Sequence, residues 1–236
     1  MKRFWINMNI LYEKFMLCVF LVGLLIVIYG LYDTWYVYHN AQDSSYLRFK
    51  PTIEGGVPEE APITDDMVAW IAVDDTNIDY PIMQGNDNSK YLNINPYGEY
   101  SLSGSIFLDS RNSKDFSDYY SILYGHHMSY GSMFGALDDF LSTDFLLKHK
   151  SGNLLVGRKN VKEYSFKIFA SMKVNVFEND LLDPGIGRDI QKLIKKSASV
   201  YDDSVKIDDS ARILVLSTCT EPVSTNRLLV FCYIED

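Results

Sequence analysis

Apolar residues follow two different patterns along this chain of 236 residues. Residues 15–32 form a run of 18 uncharged positions, rich in Leu, Val, Ile and Phe. Such a run is just long enough for a helix to cross a hydrocarbon core. Beyond residue 64 the apolar runs are short and separated by turn residues, a pattern typical of β-strands. The sequence therefore predicts one membrane-spanning helix followed by a β-rich domain.

The short apolar runs predict about eight strands. They cover residues 68–73, 77–83, 104–109, 120–126, 152–157, 164–174, 212–219 and 227–234. Residues 89–94 and 132–141 predict short helices, and residues 189–200 predict a longer amphipathic helix from their helical spacing. Closure removes exposed strand edges, so a mainly antiparallel set of this size favours a closed barrel. The predicted fold class is mainly β: an eight-stranded closed barrel with peripheral helices, preceded by one transmembrane helix.

Charged residues flank the long apolar run unequally. Lys2, Arg3 and Lys14 precede it and Asp33 follows it, which predicts a cytoplasmic N-terminus and an extracellular C-terminal body. The alternative is a cleaved signal peptide. However, the run is long for that role, and it is followed by bulky aromatic residues rather than a small-residue cleavage site. We therefore predict an uncleaved single-pass anchor in the cell membrane.

The predicted domain organisation has four parts: a cytoplasmic N-terminus at 1–14, the anchor at 15–32, a juxtamembrane helix and linker at 33–63, and an extracellular domain at 64–236. Residues 51–63 are assigned to the linker because they contain three of the seven prolines and two glycines.

The charge of the chain restricts its partners. The formal net charge is −9; the first 32 residues carry +2, so the remainder carries −11. Nucleic acid phosphates require a basic face, so this acidic body argues against nucleic acid as a partner.

The chain has three cysteines, and Cys18 falls inside the predicted anchor. If the last two strands form a hairpin with Cys219 near Arg227, then Cys232 lies opposite Leu214. The two sulfurs are then separated by roughly 15 Å, which is too far for a disulfide. Cys219 is therefore predicted to be a free thiol at the end of a strand, where it is rigid and still open to substrate.

A thiol that acts as a nucleophile needs a basic or cationic neighbour, because free cysteine titrates near pH 8.5. His126 and His127 end the predicted strand 120–126, and Arg227 begins the last strand. A histidine can protonate a leaving amine, whereas an arginine keeps its charge and serves as a fixed donor to an oxyanion. His39 and His149 are predicted to be solvated residues without a role in the site. No His, Cys and carboxylate cluster has metal-ligand spacing, and the sequence predicts neither a metal nor a cofactor.

The sequence "LSTCT" contains Cys219, which is followed eight residues later by Arg227 and preceded upstream by "YGHH". Together these motifs resemble the sortases, the membrane-anchored cysteine transpeptidases of Gram-positive bacteria. The segments "GSIFLDSRN", "YGHHMSYGSMFGALDDF" and "LSTCTEP", and the helix before the last two strands, resemble class B of this family. The chain departs from the class in its short segment between Cys219 and Arg227.

The resemblance implies a role for each matching residue. Cys219 is the nucleophile, His126 the acid and base, and Arg227 the residue that stabilises the oxyanion or positions the substrate. His127 is an alternative for the histidine role, and Glu221 is a second possible acidic group. Three residues are expected to line the substrate groove: Leu216, Ser217 and Thr218.

The resemblance also implies the partners. These are surface or pilin proteins that carry a C-terminal sorting signal, and an amine acceptor on a peptidoglycan precursor or a pilin lysine. Two other functions stay open on the residues alone. The first is an extracellular cysteine peptidase or hydrolase of the cell wall. The second is a non-enzymatic surface module whose 17 tyrosines contact a partner.

Overall fold

The computed structural model describes residues 1–41, 45–177, 180–187, 190–208, 210–219 and 225–235. The chain divides into two compact units, Met1–Asn40 and Ala41–Asp236. Helix α1 (Lys2–Ala41) makes up the first unit. Its stretch Lys2–Tyr36 is long and apolar enough to cross a membrane, as the uncharged run at 15–32 predicted.

In its described residues, the second unit contains nine strands and several short helices. The strands are β1 (Met67–Val73), β2 (Asp79–Met83), β3 (Ile106–Leu108), β4 (Tyr120–Tyr124), β5 (Ser151–Val156), β6 (Lys162–Asn175), β7 (Val200–Tyr201), β8 (Ile213–Cys219) and β9 (Asn226–Glu235). The helices are α2 (Thr143–Lys148), α3 (Ile190–Ser197) and 3₁₀ turns at Ser45–Phe49, Lys90–Leu92, Ser129–Gly131, Gly135–Leu141 and Asp180–Leu182.

The strands form one sheet in the order β5-β1-β2-β3-β4-β8-β9-β6-β7, and β5 also pairs with β6. That last pairing closes eight strands into a barrel, which confirms the predicted fold. The β2–β3 and β4–β8 pairs are parallel, and the other pairs are antiparallel. The short strand β7 extends the sheet beyond β6 through Val200 and Tyr201.

Three details of the predicted elements need correction. Helix α3 ends at Ser197, and Val200 belongs to β7 rather than to the helix. The predicted helix at 132–141 is a 3₁₀ turn over Gly135–Leu141, and the α-helix α2 follows it. The predicted helix at 89–94 is a single 3₁₀ turn. Elements of two or three residues leave no periodic pattern in a sequence, so they were missed or misassigned.

The core explains why the last strands are apolar at nearly every position. Successive side chains of a strand point to opposite faces. In β8, Leu214 and Leu216 face the cluster inside the barrel, whereas Ile213 and Val215 face a second cluster that includes Ile190 of α3. Both faces are thus covered, and the strand reads as a continuous hydrophobic run.

Residues 45–66, which precede β1 and are called the lead-in segment below, pack on the barrel. Ile63 is buried in an outer cluster with Trp70, and Val57 donates its backbone N–H to the carbonyl of Arg158. The predicted boundary between linker and domain at residue 64 stays a prediction.

Candidate active site

The ends of three neighbouring strands bring the predicted catalytic positions to one edge of the barrel. Tyr124, the last residue of β4, lies opposite Ser217 of β8, and the Gly125 N–H donates to the Ser217 carbonyl at 3.1 Å. His126 follows Tyr124 by two residues, and Cys219 follows Ser217 by two residues. Because β4 and β8 are parallel, these two positions leave the sheet side by side.

The hairpin of β8 and β9 supplies the third position. Cys219 lies directly opposite Arg227, and Leu214 lies opposite Cys232. Both pairings confirm the register predicted from the sequence. Cys232 is a completely buried free thiol in the core cluster.

A cavity of about 310 Å³ lies at this edge. His126, Arg227, Ser217 and Thr218 contribute to its wall. The rest of the wall comprises Asn88, Leu92, Phe107, Tyr124, Gly125, Val176 and Leu182. The structure therefore brings four of the predicted site residues to a single cavity.

The other predicted residues are placed differently. Leu216 is completely buried in the core cluster inside the barrel and does not contribute to this wall. Its predicted place in the groove is therefore wrong, because its side chain packs among the core residues inside the barrel. The side chain of Cys219 and the whole of Glu221 lie outside the part of the chain that the structure describes.

Close packing around Gly125 fixes the path of the backbone that carries His126. A Cβ atom on Gly125 would lie 2.4 Å from Ile106 Cδ1 and 2.7 Å from Phe134 Cδ2. Only glycine allows the backbone to pass at this point.

His126 Nε2 lies 2.7 Å from the carbonyl oxygen of Leu92. A carbonyl can only accept, so Nε2 carries the hydrogen, and Nδ1 is the basic nitrogen of the neutral ring.

His127 has a different environment. Its Nε2 donates to Asp138 Oδ2 at 2.7 Å, and its side chain does not form part of the cavity wall. Among the described residues, no group of three or more His, Cys, Asp or Glu side chains is arranged to hold a metal ion.

Ser217 and Thr218 each present a buried hydroxyl. Both residues are 1% exposed, and neither hydroxyl has a hydrogen-bond partner among the described residues. Buried polar groups in folded proteins are usually paired, and an unpaired group costs free energy. Each hydroxyl is therefore an unpaired polar group next to the cavity, and neither oxygen is exposed to it.

Comparison with known proteins decides the family. The family model of the sortase domain matches residues 71–235. The chain belongs to the sortase family. Sortase B of Listeria monocytogenes serovar 1/2a is 38% identical over 161 residues, which cover 66% of this chain and 64% of the Listeria protein.

Solved structures place this sortase in class B. A Streptococcus pyogenes class B sortase involved in pilus biogenesis, Spy0129, matches with a TM-score of 0.67 and 37% identity. That match covers 73% of this chain and 93% of the other. The Staphylococcus aureus sortase B–substrate complex matches with a TM-score of 0.67 and 28% identity, over 84% and 92% of the two chains. These similarities confirm the class that the sequence motifs indicated. Sortases are cysteine transpeptidases, and this is the enzyme class to which the chain belongs.

A buried carboxylate supports the cavity wall of the sortase, and sequence reasoning missed it. Asp109 is completely buried. It accepts hydrogen bonds from Arg111 Nε at 3.0 Å and Nη2 at 2.9 Å, from Tyr124 Oη at 3.0 Å and from Asn88 Nδ2 at 2.9 Å. Tyr124 and Asn88 both contribute to the cavity wall.

The charges of this network affect one another. Burial alone would raise the pKa of Asp109, but the hydrogen bonds from Arg111, Tyr124 and Asn88 outweigh burial and hold that pKa below its ordinary value. Burial raises the pKa of Tyr124, and the Asp109 carboxylate raises it further. Asp109 therefore stays ionised and Tyr124 stays neutral at physiological pH.

Arg111 extends the network to residues 182 and 183, and Leu182 is part of the cavity wall. Its Nη1 donates to Asp183 at 3.1 Å, and its Nη2 donates to the carbonyl of Leu182 at 3.4 Å. Tyr120 Oη donates to the carbonyl of Leu181 at 2.8 Å. These bonds attach the 3₁₀ turn Asp180–Leu182 to the barrel. The only sequence signal for this network was the segment "GSIFLDSRN", to which no role had been assigned.

Proposed function

We propose that this sortase cleaves a C-terminal sorting signal after its threonine and transfers the acyl group to an amine through a thioester on Cys219. One observation carries the proposal: His126 and Arg227 line one cavity, and the backbone register sets Cys219 opposite Arg227.

In the first half of the proposed reaction, the Cys219 thiol gives its proton to His126 Nδ1, and the resulting thiolate attacks the carbonyl carbon of the threonine. The carbonyl oxygen becomes an oxyanion, and the Arg227 guanidinium serves as its fixed donor. The C–N bond breaks as His126 gives a proton to the leaving amine, and an acyl thioester remains on Cys219. Since Nε2 is bonded to the Leu92 carbonyl, Nδ1 is the nitrogen that transfers the proton.

In the second half, the acceptor amine attacks the thioester carbonyl and gives a proton to His126. The C–S bond breaks, the Cys219 thiolate leaves, and a new amide bond is released. The proposed donors are surface or pilin proteins with signals related to L-P-x-T-G or N-P-x-T-N. The proposed acceptor is an amine of a cell-wall precursor or of a pilin lysine.

We propose further that α1 is a single-pass anchor with residues 1–14 in the cytoplasm and the barrel outside the cell. The basic residues before the apolar run and the length of α1 support this placement. Donor and acceptor emerge at the same membrane face, so tethering the enzyme there raises the effective concentration of both.

The test uses the purified full chain in detergent, peptides that carry each sorting motif, and triglycine or acetyl-lysine as the amine. Mass spectrometry is expected to detect an acyl-enzyme on Cys219 and an amine adduct of the peptide. Cys219→Ala is expected to abolish both while the circular dichroism spectrum stays unchanged. Transfer activity in the Cys219→Ala variant would rule out the proposed mechanism.

The acceptor separates this function from a hydrolase of the cell wall. At saturating amine, a transpeptidase gives mainly the adduct, whereas a peptidase gives only the hydrolysed peptide. A product without adduct at every amine concentration would favour the peptidase.

A further inference from the structure

The loop that carries His126 contains unfavourable backbone conformations. We define the histidine loop as residues 125–135. Within it Tyr130 has φ 59°, Gly131 has φ 70° and Met133 has φ 51°. Residues other than glycine rarely adopt this left-handed region, and they keep it only where surrounding contacts impose it. Some contact must therefore hold Met133 in place.

Hydrogen bonds connect Met133 closely to the histidine. His127 and Met133 form an isolated antiparallel bridge, and the Phe134 N–H donates to the carbonyl of His126 at 3.0 Å. A movement of Met133 therefore moves the backbone at the His126 carbonyl and at His127.

The hydroxyl that accepts the Met133 N–H belongs to a residue outside the histidine loop. Tyr80, on β2, accepts this hydrogen bond at 2.9 Å. Met133 is 4% exposed and Tyr80 is 7% exposed, so water cannot readily replace the bond. Burial raises the pKa of Tyr80, and the phenol therefore stays neutral at physiological pH.

The lead-in segment packs directly on Tyr80. The ring of Tyr46 lies 5.6 Å from that of Tyr80 and 5.9 Å from that of Trp70. Lys50 Nζ and Trp70 Nε1 both donate to the carboxylate of Asp79, at 2.7 Å and 2.6 Å. Residues 45–50 therefore form one side of the pocket that holds Tyr80.

We propose that Tyr80 is a positioning residue for His126, and that residues 45–50 belong to the catalytic unit because they hold Tyr80 in place. The link runs from Tyr46 through the Tyr80 hydroxyl to Met133 and then to His126. The inference depends on the proposed function only for the role of His126. The contacts themselves are independent of that role.

The test compares Tyr80→Phe with Tyr91→Phe in the full chain. Tyr91 is also buried, and its hydroxyl donates to Asp66 at 2.7 Å rather than to the histidine loop. Tyr80→Phe is expected to lower kcat for peptide transfer by about tenfold with KM nearly unchanged, since small misplacements of catalytic groups are costly. Tyr91→Phe is expected to keep kcat within about twofold, because its bond lies outside the link.

Hydrogen exchange gives a readout that does not depend on activity. In Tyr80→Phe the Met133 amide is expected to exchange at least about tenfold faster, because it has lost its acceptor. Unchanged exchange at Met133, or an equal fall in kcat in Tyr91→Phe, would overturn the proposal. If the wild type transfers no peptide, the proposed function fails, while the exchange rate still decides whether Tyr80 holds the loop.

A second variant tests the contribution of the lead-in segment. Tyr46→Ala leaves the Tyr80 hydroxyl in place and removes the ring that packs on it. It is expected to lower kcat by about threefold and to have little further effect in the Tyr80→Phe background, since both changes break the same link. Fully independent effects of the two substitutions would exclude residues 45–50 from the catalytic unit.

Discussion

The buried Asp109 carboxylate makes a quantitative prediction for Arg111→Ala. Breaking a fully buried ion pair by removing one partner costs about 3–5 kcal/mol. The Arg111 side chain is 54% exposed, so water replaces part of what it donates, and Tyr124 and Asn88 still donate to the carboxylate. We therefore expect a loss of about 2 kcal/mol in the free energy of unfolding. For a domain of this size, that loss lowers Tm by about 4–8 °C.

The pH dependence of this loss identifies its cause. The folded-state pKa of Asp109 is lowered, so its stabilising contribution is present above the ordinary aspartate value of about 3.9 and disappears as the pH falls through the lowered value. Calorimetry should therefore show a smaller Tm difference between the wild type and Arg111→Ala at pH 3 than at pH 7.

Asp183→Asn is the matched control. It breaks only the bridge between Arg111 and an aspartate side chain that is 59% exposed, which is worth about 0–1 kcal/mol. Equal Tm values for Arg111→Ala and the wild type, or the same difference at pH 7 and pH 3, would refute the argument that the buried charge causes the loss.

Three further predictions test the packing and chemistry of the site. Gly125→Ala places a methyl group 2.4 Å from the nearest side-chain atom and should cost about 1–3 kcal/mol in denaturant unfolding. Gly187→Ala, with no described atom within 4 Å, should cost much less. Ser217→Ala and Thr218→Val should leave Tm nearly unchanged in calorimetry, because each removes a buried hydroxyl that has no hydrogen-bond partner among the described residues; a clear loss of Tm would show that the hydroxyls are paired in the folded enzyme. Burial raises the pKa of Cys232, so an alkylating reagent at pH 7.5 should leave it unmodified until the chain is unfolded, as peptide mass spectrometry can determine.

The fold was predictable because its strands are apolar on one or both faces and are separated by turn residues. The register of the last hairpin also followed from the sequence, because a short connection leaves few ways to align Cys219 with Arg227. The two-residue strand β7 was not predictable, since its pairing with β6 depends on tertiary contacts.

The candidate site was predictable where a residue type and a strand end coincided, as for His126 and Arg227. Leu216 was misplaced because the sequence does not show how far along β8 the core extends, and Leu216 is the last residue of this strand in the core cluster inside the barrel. The network around Asp109 was missed because its partners are far apart in the chain: Tyr124 follows 15 residues later, and Asp183 lies 72 residues from Arg111.

The place of β9 in the sheet has a consequence for the timing of biosynthesis. This strand comes last among the described strands, yet it lies between β8 and β6 in the interior of the sheet. A nascent chain that has emerged only as far as β8 cannot join the two halves of the barrel, and it lacks the arginine of the site. Because pairing between distant segments is slow, catalytic competence comes only after β9 has emerged and paired with β8 and β6. A nascent chain that lacks β9 therefore cannot react prematurely with a donor protein.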